Sequence, residues 1–440
     1  MNKRLSVFAG FAALLATGAA IAASSTDRSR FAVVAPESVG FSTERLRKLD
    51  AAMQAEIDTG KYAAISVMIA RHGKLIKDSR YGYEDLANRS PLRADAIFRI
   101  ASMTKPVTGV ALMILYEDGK WQLDDPVSKF IPEFADLKVA TAQGPAALNH
   151  PITMRELVTS TAGFAGGYDM GSANPEVDHA YVQANLKSGT LADMVEKLSH
   201  IPLESQPGAK FRYGYQHDIQ GAVVERISGQ SFDRFLQERL FLPLGMVDTG
   251  FGVAPEKRNR LVPLYAYDHE MKLVLAKEQG AFTPVAGEKP GYLSGAGGLY
   301  STMSDYMRFA QMLASGGALA GVRMLAPSTV KLMMSDLLPE GVKLSFMHPI
   351  VGVGYGVDLG IVLDPGRASF NSGGAGQGTV FWTGAHGTWF WIDPVNDLVV
   401  LGMTQQETAG AAHMGLPSPA PDLRAISRSL IYQALTEPKR

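Results

Sequence analysis

The sequence predicts an α/β fold in which helices flank an antiparallel sheet and a mostly helical subdomain is inserted into the chain. Three observations favour this fold. Short apolar runs typical of β-strands stand at residues 65–76 and again at 380–404. Between them, at residues 111–290, helical patterns prevail and are separated by Pro, Gly and Asn or Asp. A chain of 440 residues, 46% of them hydrophobic, can also bury a core of this size. We therefore expect one interrupted α/β domain without internal repeats.

The N-terminal segment has the pattern of a secretory signal. Lys3 and Arg4 precede an apolar stretch at residues 5–21, and small residues next to it resemble a cleavage site. We expect residues 1–22 to be a signal peptide and residues 23–440 to be exported, to the periplasm or beyond the cell. The alternative is an uncleaved membrane anchor, but glycine interrupts the stretch and no later apolar span of 18 residues follows. We expect no stable membrane span after cleavage.

The elements of the sheet-containing part can be justified in chain order. Ser42 predicts the N-cap of a helix whose apolar face continues until Gly60. Residues 65–76 then predict a β-hairpin, and residues 107–116 predict a helix. The last third predicts an antiparallel meander at 380–404 and a closing helix.

The middle of the chain predicts helices separated by loops. Helical patterns stand at 154–158, 191–198 and 221–227, and another follows at 303–313. The sheet-containing lobe would then comprise residues 37–110 and 291–440, and the helical lobe residues 111–290. Active sites favour the crevice between such lobes.

Composition and charge exclude several classes of function. Lys and Arg number 42 against 43 Asp and Glu, so the net charge of −1 offers no basic surface for nucleic acid. The chain has no cysteine, and its nine histidines include no His-x-x-x-His pair. We expect no metal and no cofactor. The glycine-rich run at 291–298 lacks the Gly-Lys-Ser/Thr ending of a phosphate-binding loop, and we interpret it as close backbone packing.

Nucleophilic serine chemistry remains, and Ser102 with Lys105 is its strongest candidate. No Gly-x-Ser-x-Gly motif occurs, which argues against an ordinary α/β-hydrolase. Ser102 stands between a strand-like segment and a helix, and a residue three positions later lies on the same helical face. A desolvated lysine amine can accept the hydroxyl proton, and the helix N-terminus offers N–H groups to a developing oxyanion. Taken alone, Ser-x-x-Lys is a weak signal, because an N-cap serine and a solvated lysine give the same pattern.

The surrounding residues strengthen this interpretation. Residues 99–108, Arg-Ile-Ala-Ser-Met-Thr-Lys-Pro-Val-Thr, resemble the nucleophile region of the serine β-lactamase and penicillin-binding-protein superfamily. Residues 151–164 look like a segment of its class C branch, and residues 207–213 look like its second motif. The resemblance covers about residues 37–435 and implies a β-lactamase-like fold. It also implies that Tyr213 acts as base toward the serine and as acid toward the leaving group.

The third motif departs from the β-lactamase pattern. The family's Lys-Thr-Gly is here Trp382-Thr383-Gly384, and its Tyr-x-Asn is here Tyr213-Gly214-Tyr215. Both departures weaken a β-lactamase interpretation and instead resemble the family VIII carboxylesterases.

The resemblance also implies further site residues. It assigns the oxyanion hole to the backbone N–H groups of Ser102 and Ala385, and Gly384 would let the substrate backbone approach closely. His386, next to this donor, is a candidate pocket-lining residue, and a catalytic role is the less favoured alternative. His217 with Asp218 is more typical of a packing pair than of a charge relay. The remaining candidates for an apolar substrate pocket are aromatic, although each is equally compatible with the core: Trp382, Tyr215, Tyr355 and Phe164.

We conclude from the sequence that the chain is an exported serine hydrolase of small-molecule carboxylic esters. It would form an acyl-enzyme on Ser102, with Lys105 and Tyr213 sharing the proton transfers. Alternatives within the fold are a β-lactamase, a D-amino-acid peptidase and an acyltransferase. The alternative outside enzymes is a penicillin-recognising module that binds a ligand without turnover. The natural substrate and the oligomeric state stay open.

Overall fold

The computed structural model describes residues 32–166, 174–276, 290–346, 349–368, 374–407 and 418–437. The predicted signal peptide at residues 1–22 lies outside these ranges. Within them, no helix combines the length and the apolar character that crossing a membrane requires.

An eight-stranded antiparallel sheet forms the centre of the fold. All strands of the described residues, inside and outside this sheet, are in chain order β1 (Ala64–Arg71), β2 (Lys74–Asp85), β3 (Ser90–Pro91), β4 (Ile97–Arg99), β5 (Lys138–Val139), β6 (Ala146–Ala147), β7 (Tyr265–Tyr267), β8 (Leu273–Leu275), β9 (Tyr300–Thr302), β10 (Ala318–Leu319), β11 (Val322–Arg323), β12 (Val353–Tyr355), β13 (Gly360–Val362), β14 (Val380–Gly384), β15 (Thr388–Asp393) and β16 (Leu398–Met403). The sheet has the order β12-β13-β14-β15-β16-β1-β2-β3, and its neighbouring strands are antiparallel. The predicted antiparallel sheet is confirmed.

The two ends of the chain meet in this sheet. β1 pairs with β16 from Ser66 opposite Met403 to Arg71 opposite Leu398. The early hairpin β1–β2 and the late meander β14–β15–β16 thereby become one sheet, as the strand patterns at both ends of the sequence predicted.

Helices make up most of the remaining regular structure. They are α1 (Thr43–Asp58), α2 (Thr104–Glu117), α3 (Met154–Val158), α4 (Pro175–Ala184), α5 (Leu191–Ser199), α6 (Gln216–Ser228), α7 (Phe232–Leu236), α8 (Leu242–Leu244), α9 (Met303–Ala314), α10 (Pro327–Met333) and α11 (Leu423–Ala434). Ser42 caps α1 by accepting a hydrogen bond from the Arg45 N–H, and Asp422 caps α11 in the same way. The predicted first and closing helices are confirmed.

Helices cover both faces of the sheet. Phe390 and Trp391 are successive residues of β15, so their side chains point to opposite faces. Tyr306 of α9 packs against Phe390 with ring centroids 5.3 Å apart, whereas Tyr432 of α11 stacks on Trp391. Because both faces are covered, β15 and β16 are buried along their whole length.

The helices of the middle of the chain position the start of α2. From Thr104 to Leu115, each residue of α2 is buried, and α2 packs against α6. Tyr213 precedes α6 by three residues, so the starts of the two helices bring Ser102 and Tyr213 together. The division of the chain into a sheet-containing and a helical lobe stays a proposal.

The structure adds short strands that the sequence did not predict. The hairpins β5–β6 and β7–β8 lie in the region predicted to be helical, and the pair β12–β13 extends the sheet beyond β14. Each of these strands has two or three residues, which is too short for an alternating pattern to be recognised.

Candidate active site

Ser102 lies in a tight turn between β4 and α2. Residues Ala101–Met103 form a single 3₁₀ turn, and Ala101 has a φ of 45°, in the left-handed region. Two hydrogen bonds fix the preceding residue: the Ile100 N–H donates to the Leu299 carbonyl at 3.1 Å, and the Thr388 hydroxyl donates to the Ile100 carbonyl at 3.0 Å. The turn is therefore held between the sheet and the loop that precedes β9.

The hydroxyl of Ser102 has two proton-transfer partners. Lys105 Nζ lies 3.0 Å from Ser102 Oγ, and the Tyr213 hydroxyl donates to the same oxygen at 2.7 Å. Lys105 is 1% exposed, and its Nζ also donates to the Ala296 carbonyl at 2.6 Å. Its Nζ lies 4.3 Å from the centre of the Tyr213 ring. Ser102, Lys105 and Tyr213 thus form one hydrogen-bonded group.

The backbone around Gly384 brings β14 against the turn of Ser102. A Cβ atom at Gly384 would overlap the Ile100 carbonyl oxygen and the Thr388 hydroxyl, so this contact requires glycine. The reason differs from the expected approach of substrate, because the close contact is made by the protein itself. Ala385 follows in the turn to β15, and among the described residues neither its N–H nor that of Ser102 donates a hydrogen bond. Both groups are available to an oxyanion.

Aromatic rings pack around Tyr213. We call Phe211, Tyr213, Phe346, Tyr355 and Trp382 the aromatic cluster. Trp382 lies 6.0 Å from Tyr213, 6.0 Å from Phe346 and 5.3 Å from Tyr355, measured between ring centroids. Within the described structure, the buried Trp382 Nε1 has no hydrogen-bond acceptor. Tyr213 is therefore packed against apolar rings, and one buried donor among them lacks an acceptor within the described residues.

A family model named Beta-lactamase matches residues 49–416, which is most of the chain. The chain belongs to the beta-lactamase family. It is therefore a serine hydrolase with a β-lactamase-like fold, as the sequence predicted.

Similar proteins support this family. Protein Rv1367c of Mycobacterium tuberculosis is 35% identical over 382 residues, which cover 84% of this chain and 93% of that protein. Esterase EstB of Burkholderia gladioli is 29% identical over 401 residues, with coverage of 88% and 94%. Among solved structures, "EstCE1, a hydrolase with promiscuous acyltransferase activity" superposes with a TM-score of 0.73 at 25% identity, covering 88% of this chain and 98% of that one. The resemblance to family VIII carboxylesterases is borne out by these relatives.

The four aromatic residues predicted to line a pocket lie in different places in this protein. Trp382 and Tyr355 both belong to the aromatic cluster, where Trp382 is 4% exposed and Tyr355 is fully buried. Burial raises the pKa of the Tyr355 phenol well above its usual range. Phe164 is 1% exposed and packs on Phe134, and Tyr215 is 8% exposed and packs on Tyr181. Phe164 and Tyr215 thus lie outside the aromatic cluster.

His386 is buried and follows Ala385 directly in the chain. It is 5% exposed, and neither ring nitrogen has a hydrogen-bond partner within the described residues. Burial, and then the nearby charge of Arg99, lowers its pKa to about 4. The imidazole is therefore neutral at neutral pH, and among the described residues no hydrogen bond connects it to Ser102.

His217 and Asp218 do not pair with each other. His217 Nε2 lies 3.2 Å from Asp358 Oδ1 and 3.3 Å from the Tyr355 hydroxyl. Asp218 Oδ1 instead accepts hydrogen bonds from the Ser294 hydroxyl and the Ala296 N–H. Successive residues of a helix point in different directions, so the two side chains reach different partners.

Several residues of this site were not predicted from the sequence. Ala296 contributes a backbone carbonyl, which has no side-chain pattern to recognise. Asp358 and Phe346 lie far from Tyr213 in sequence and in segments without a motif. Within the described ranges, no three His, Asp or Glu side chains come together as a metal-ligating group.

Proposed function

We propose that the protein hydrolyses carboxylic esters through an acyl-enzyme on Ser102. The observation that supports this proposal is the hydrogen bonding of one hydroxyl to two groups able to move its proton, Lys105 Nζ at 3.0 Å and Tyr213 OH at 2.7 Å.

The reaction then has two halves. Ser102 Oγ forms a bond to the acyl carbon while its proton passes to the Lys105–Tyr213 pair, and the N–H groups of Ser102 and Ala385 stabilise the oxyanion. The carbon–oxygen bond of the ester breaks, and the alkoxide leaves as an alcohol with a proton from Tyr213. Water attacks the acyl-enzyme with the same groups accepting its proton, which releases the acid and restores the Ser102 hydroxyl.

The aromatic cluster favours uncharged esters with an apolar part. Trp382 stands where the β-lactamases of the family have lysine, and its ring packs on Tyr213 and Phe346. An indole offers apolar area and one N–H donor, but no positive charge for a substrate carboxylate. The relative EstB is named an esterase, which supports ester hydrolysis as the reaction.

The test is hydrolysis of short-chain p-nitrophenyl esters beside a chromogenic cephalosporin. We expect ester turnover that is lost in Ser102→Ala and little opening of the cephalosporin. Thermal unfolding of Ser102→Ala close to that of the wild type controls for folding. Faster turnover of the cephalosporin than of the esters would contradict the proposal. Covalent labelling of Ser102 by the esters without release of acid would instead support a binding module.

Acyl transfer to an alcohol is the second proposed activity. The neighbour EstCE1 is described as a hydrolase with promiscuous acyltransferase activity, and the apolar cluster would accept an alcohol in place of water. Adding a short alcohol during ester hydrolysis should divert part of the acyl group to a new ester. Release of free acid alone at high alcohol concentration would contradict this activity.

We also propose that residues 1–22 direct export and are then removed. The support is the basic start at Lys3 and Arg4 and the apolar stretch that follows. The mass of the protein recovered from outside the cytoplasm should correspond to a chain that begins at about residue 23. Recovery of the full-length chain from the membrane would contradict cleavage.

A further inference from the structure

The hydrogen bonds around Lys105 extend to a second layer of buried polar groups. Lys105 Nζ donates to the Ala296 carbonyl at 2.6 Å, the shorter of its two hydrogen bonds. A lysine side chain is a flexible four-carbon stem, so the amine can take many positions. The hydrogen bond to this acceptor restricts where the amine lies relative to Ser102. The position of the Ala296 carbonyl therefore controls the position of the amine.

The peptide group that precedes this carbonyl is held from both sides. Its carbonyl oxygen, on Gly295, accepts from the Thr108 hydroxyl at 2.8 Å, and its N–H, on Ala296, donates to Asp218 Oδ1 at 3.1 Å. The Ser294 hydroxyl donates to the same Asp218 oxygen at 2.7 Å. One carboxylate on α6 and one hydroxyl on α2 thus fix the turn that presents Ala296 to Lys105.

Close packing reinforces this arrangement. A Cβ atom at Gly295 would overlap the carbonyl oxygen of His217, so the turn lies directly on the first turn of α6. Asp218 and Thr108 are both fully buried. Hydrogen bonds in such buried surroundings are stronger than they would be in water.

We propose that Asp218 is a positioning residue for Lys105 and acts through the turn at residues 294–296. Asp218 makes no hydrogen bond to Ser102 among the described contacts, so its effect passes through the Ala296 carbonyl. This inference rests on the proposed role of Lys105 in accepting the proton of Ser102. Under this proposal, the start of α6 has two roles. The segment just before the helix provides Tyr213, and the third residue of the helix, Asp218, holds Lys105 in position.

The test measures the rate at which a fluorophosphonate labels Ser102, independently of ester turnover. Asp218→Ala should slow labelling by about 10–100-fold, since displacing a reacting group by about 1 Å has an effect of this size. Asp218→Asn keeps an oxygen acceptor and should recover most of the lost rate. Thr108→Val removes the hydrogen bond on the other side of the same peptide and should slow labelling to a smaller extent.

A matched control separates positioning from stability. Asp305 is 2% exposed and accepts hydrogen bonds from the Asp248 N–H and the Thr249 hydroxyl, so Asp305→Ala also removes a buried carboxylate. We expect Asp305→Ala to lower the melting temperature without slowing the labelling of the folded protein. Equal slowing by both alanine variants would overturn the proposal.

A double-mutant cycle decides whether Asp218 acts through Lys105. In the Lys105→Ala background, Asp218→Ala should have little further effect on labelling. Additive losses would overturn the proposal, as would a wild type whose Ser102 is not labelled. A wild type that is labelled but hydrolyses no ester would contradict the proposed function alone, because the cycle still reports on Asp218.

Discussion

The two sides of Ser102 differ in how their polar groups are satisfied. On the side of Lys105, Nζ donates to the Ala296 carbonyl, and the Ala296 N–H donates to the Asp218 carboxylate. On the side of β14, the buried Trp382 Nε1 and both His386 nitrogens have no hydrogen-bond partner among the described residues. Natural proteins rarely bury donors without acceptors, so the two sides differ in how far hydrogen bonds offset the desolvation cost of their buried polar groups.

This difference separates two functions. Directed hydrogen bonds fix the amine of Lys105, and the proposed proton transfer requires this amine to lie close to the serine. Aromatic packing sets the shape of the surface near Tyr213 without fixing a single polar contact. Substitutions on the lysine side should therefore change the rate of chemistry, whereas substitutions on the β14 side should change binding and stability.

Removing either proton-transfer group should produce the largest effect. We expect Lys105→Ala and Tyr213→Phe each to lower the rate of acylation by about 10²–10⁴-fold, which is the usual contribution of a general acid or base. The measurement is the pre-steady-state release of p-nitrophenol. Tyr116→Phe, a phenol of α2 that packs on Trp121, is the matched control and should acylate like the wild type. Wild-type rates in Lys105→Ala or Tyr213→Phe would remove that residue from the mechanism.

The contrast between these groups also explains what the sequence could predict. Ser102 and Lys105 are three residues apart, so helical geometry alone brings them together. Tyr213 is 111 residues away from Ser102, and only the resemblance to a family identified it. The Ala296 carbonyl and the surroundings of Asp218 depend on a tertiary contact between two helices and a loop, which no local pattern encodes.

The fold shows the same division between local and long-range information. The hairpin β1–β2 and the meander β14–β16 are made of neighbouring strands with apolar runs, and both were predicted. The pair β12–β13 was missed because its three-residue strands include glycine and are stabilised by their neighbour β14. Aromatic residues such as Phe164 gave no local sign of whether they face a pocket or the core.

Substitutions at Trp382 test whether the aromatic packing on the β14 side of Ser102 contributes to stability. Trp382→Ala should lower the free energy of unfolding by about 3–5 kcal/mol, since it removes a large buried ring. Trp382→Phe retains most of the ring area and loses a donor that has no acceptor within the described residues, so its cost should be smaller. Urea unfolding measures both values.

The kinetics of Trp382→Phe complete this test. We expect a higher KM for esters with apolar acyl groups and a kcat within about tenfold of the wild type. The reason is that the substitution weakens binding of the substrate and of the transition state equally. A large fall in kcat with unchanged KM would show that Trp382 acts on the chemical step. The distinction between the two sides of Ser102 would then be wrong.

His386 should make the β14 side sensitive to acid. Its pKa is lowered from 6.5 to about 4 in the folded protein, because burial and the charge of Arg99 disfavour the imidazolium. Below pH 6.5 the unfolded chain binds a proton that the folded chain does not bind until pH falls to about 4. His386 therefore does not lower the free energy of unfolding above pH 6.5. As pH falls from 6.5 to 4, it lowers the free energy of unfolding by up to about 3 kcal/mol.

Urea unfolding at pH 7.5 and pH 4.5 measures this loss in the wild type and in His386→Gln. A glutamine binds no proton, so the variant should lose less stability between the two pH values than the wild type does. His200→Gln is the matched control, because the His200 side chain is 73% exposed and neutralising it should leave most of the acid sensitivity in place. If His386→Gln and the wild type lost equal stability, the imidazole would have to be paired in the folded protein, and the two sides of Ser102 would not differ in the way their polar groups are satisfied.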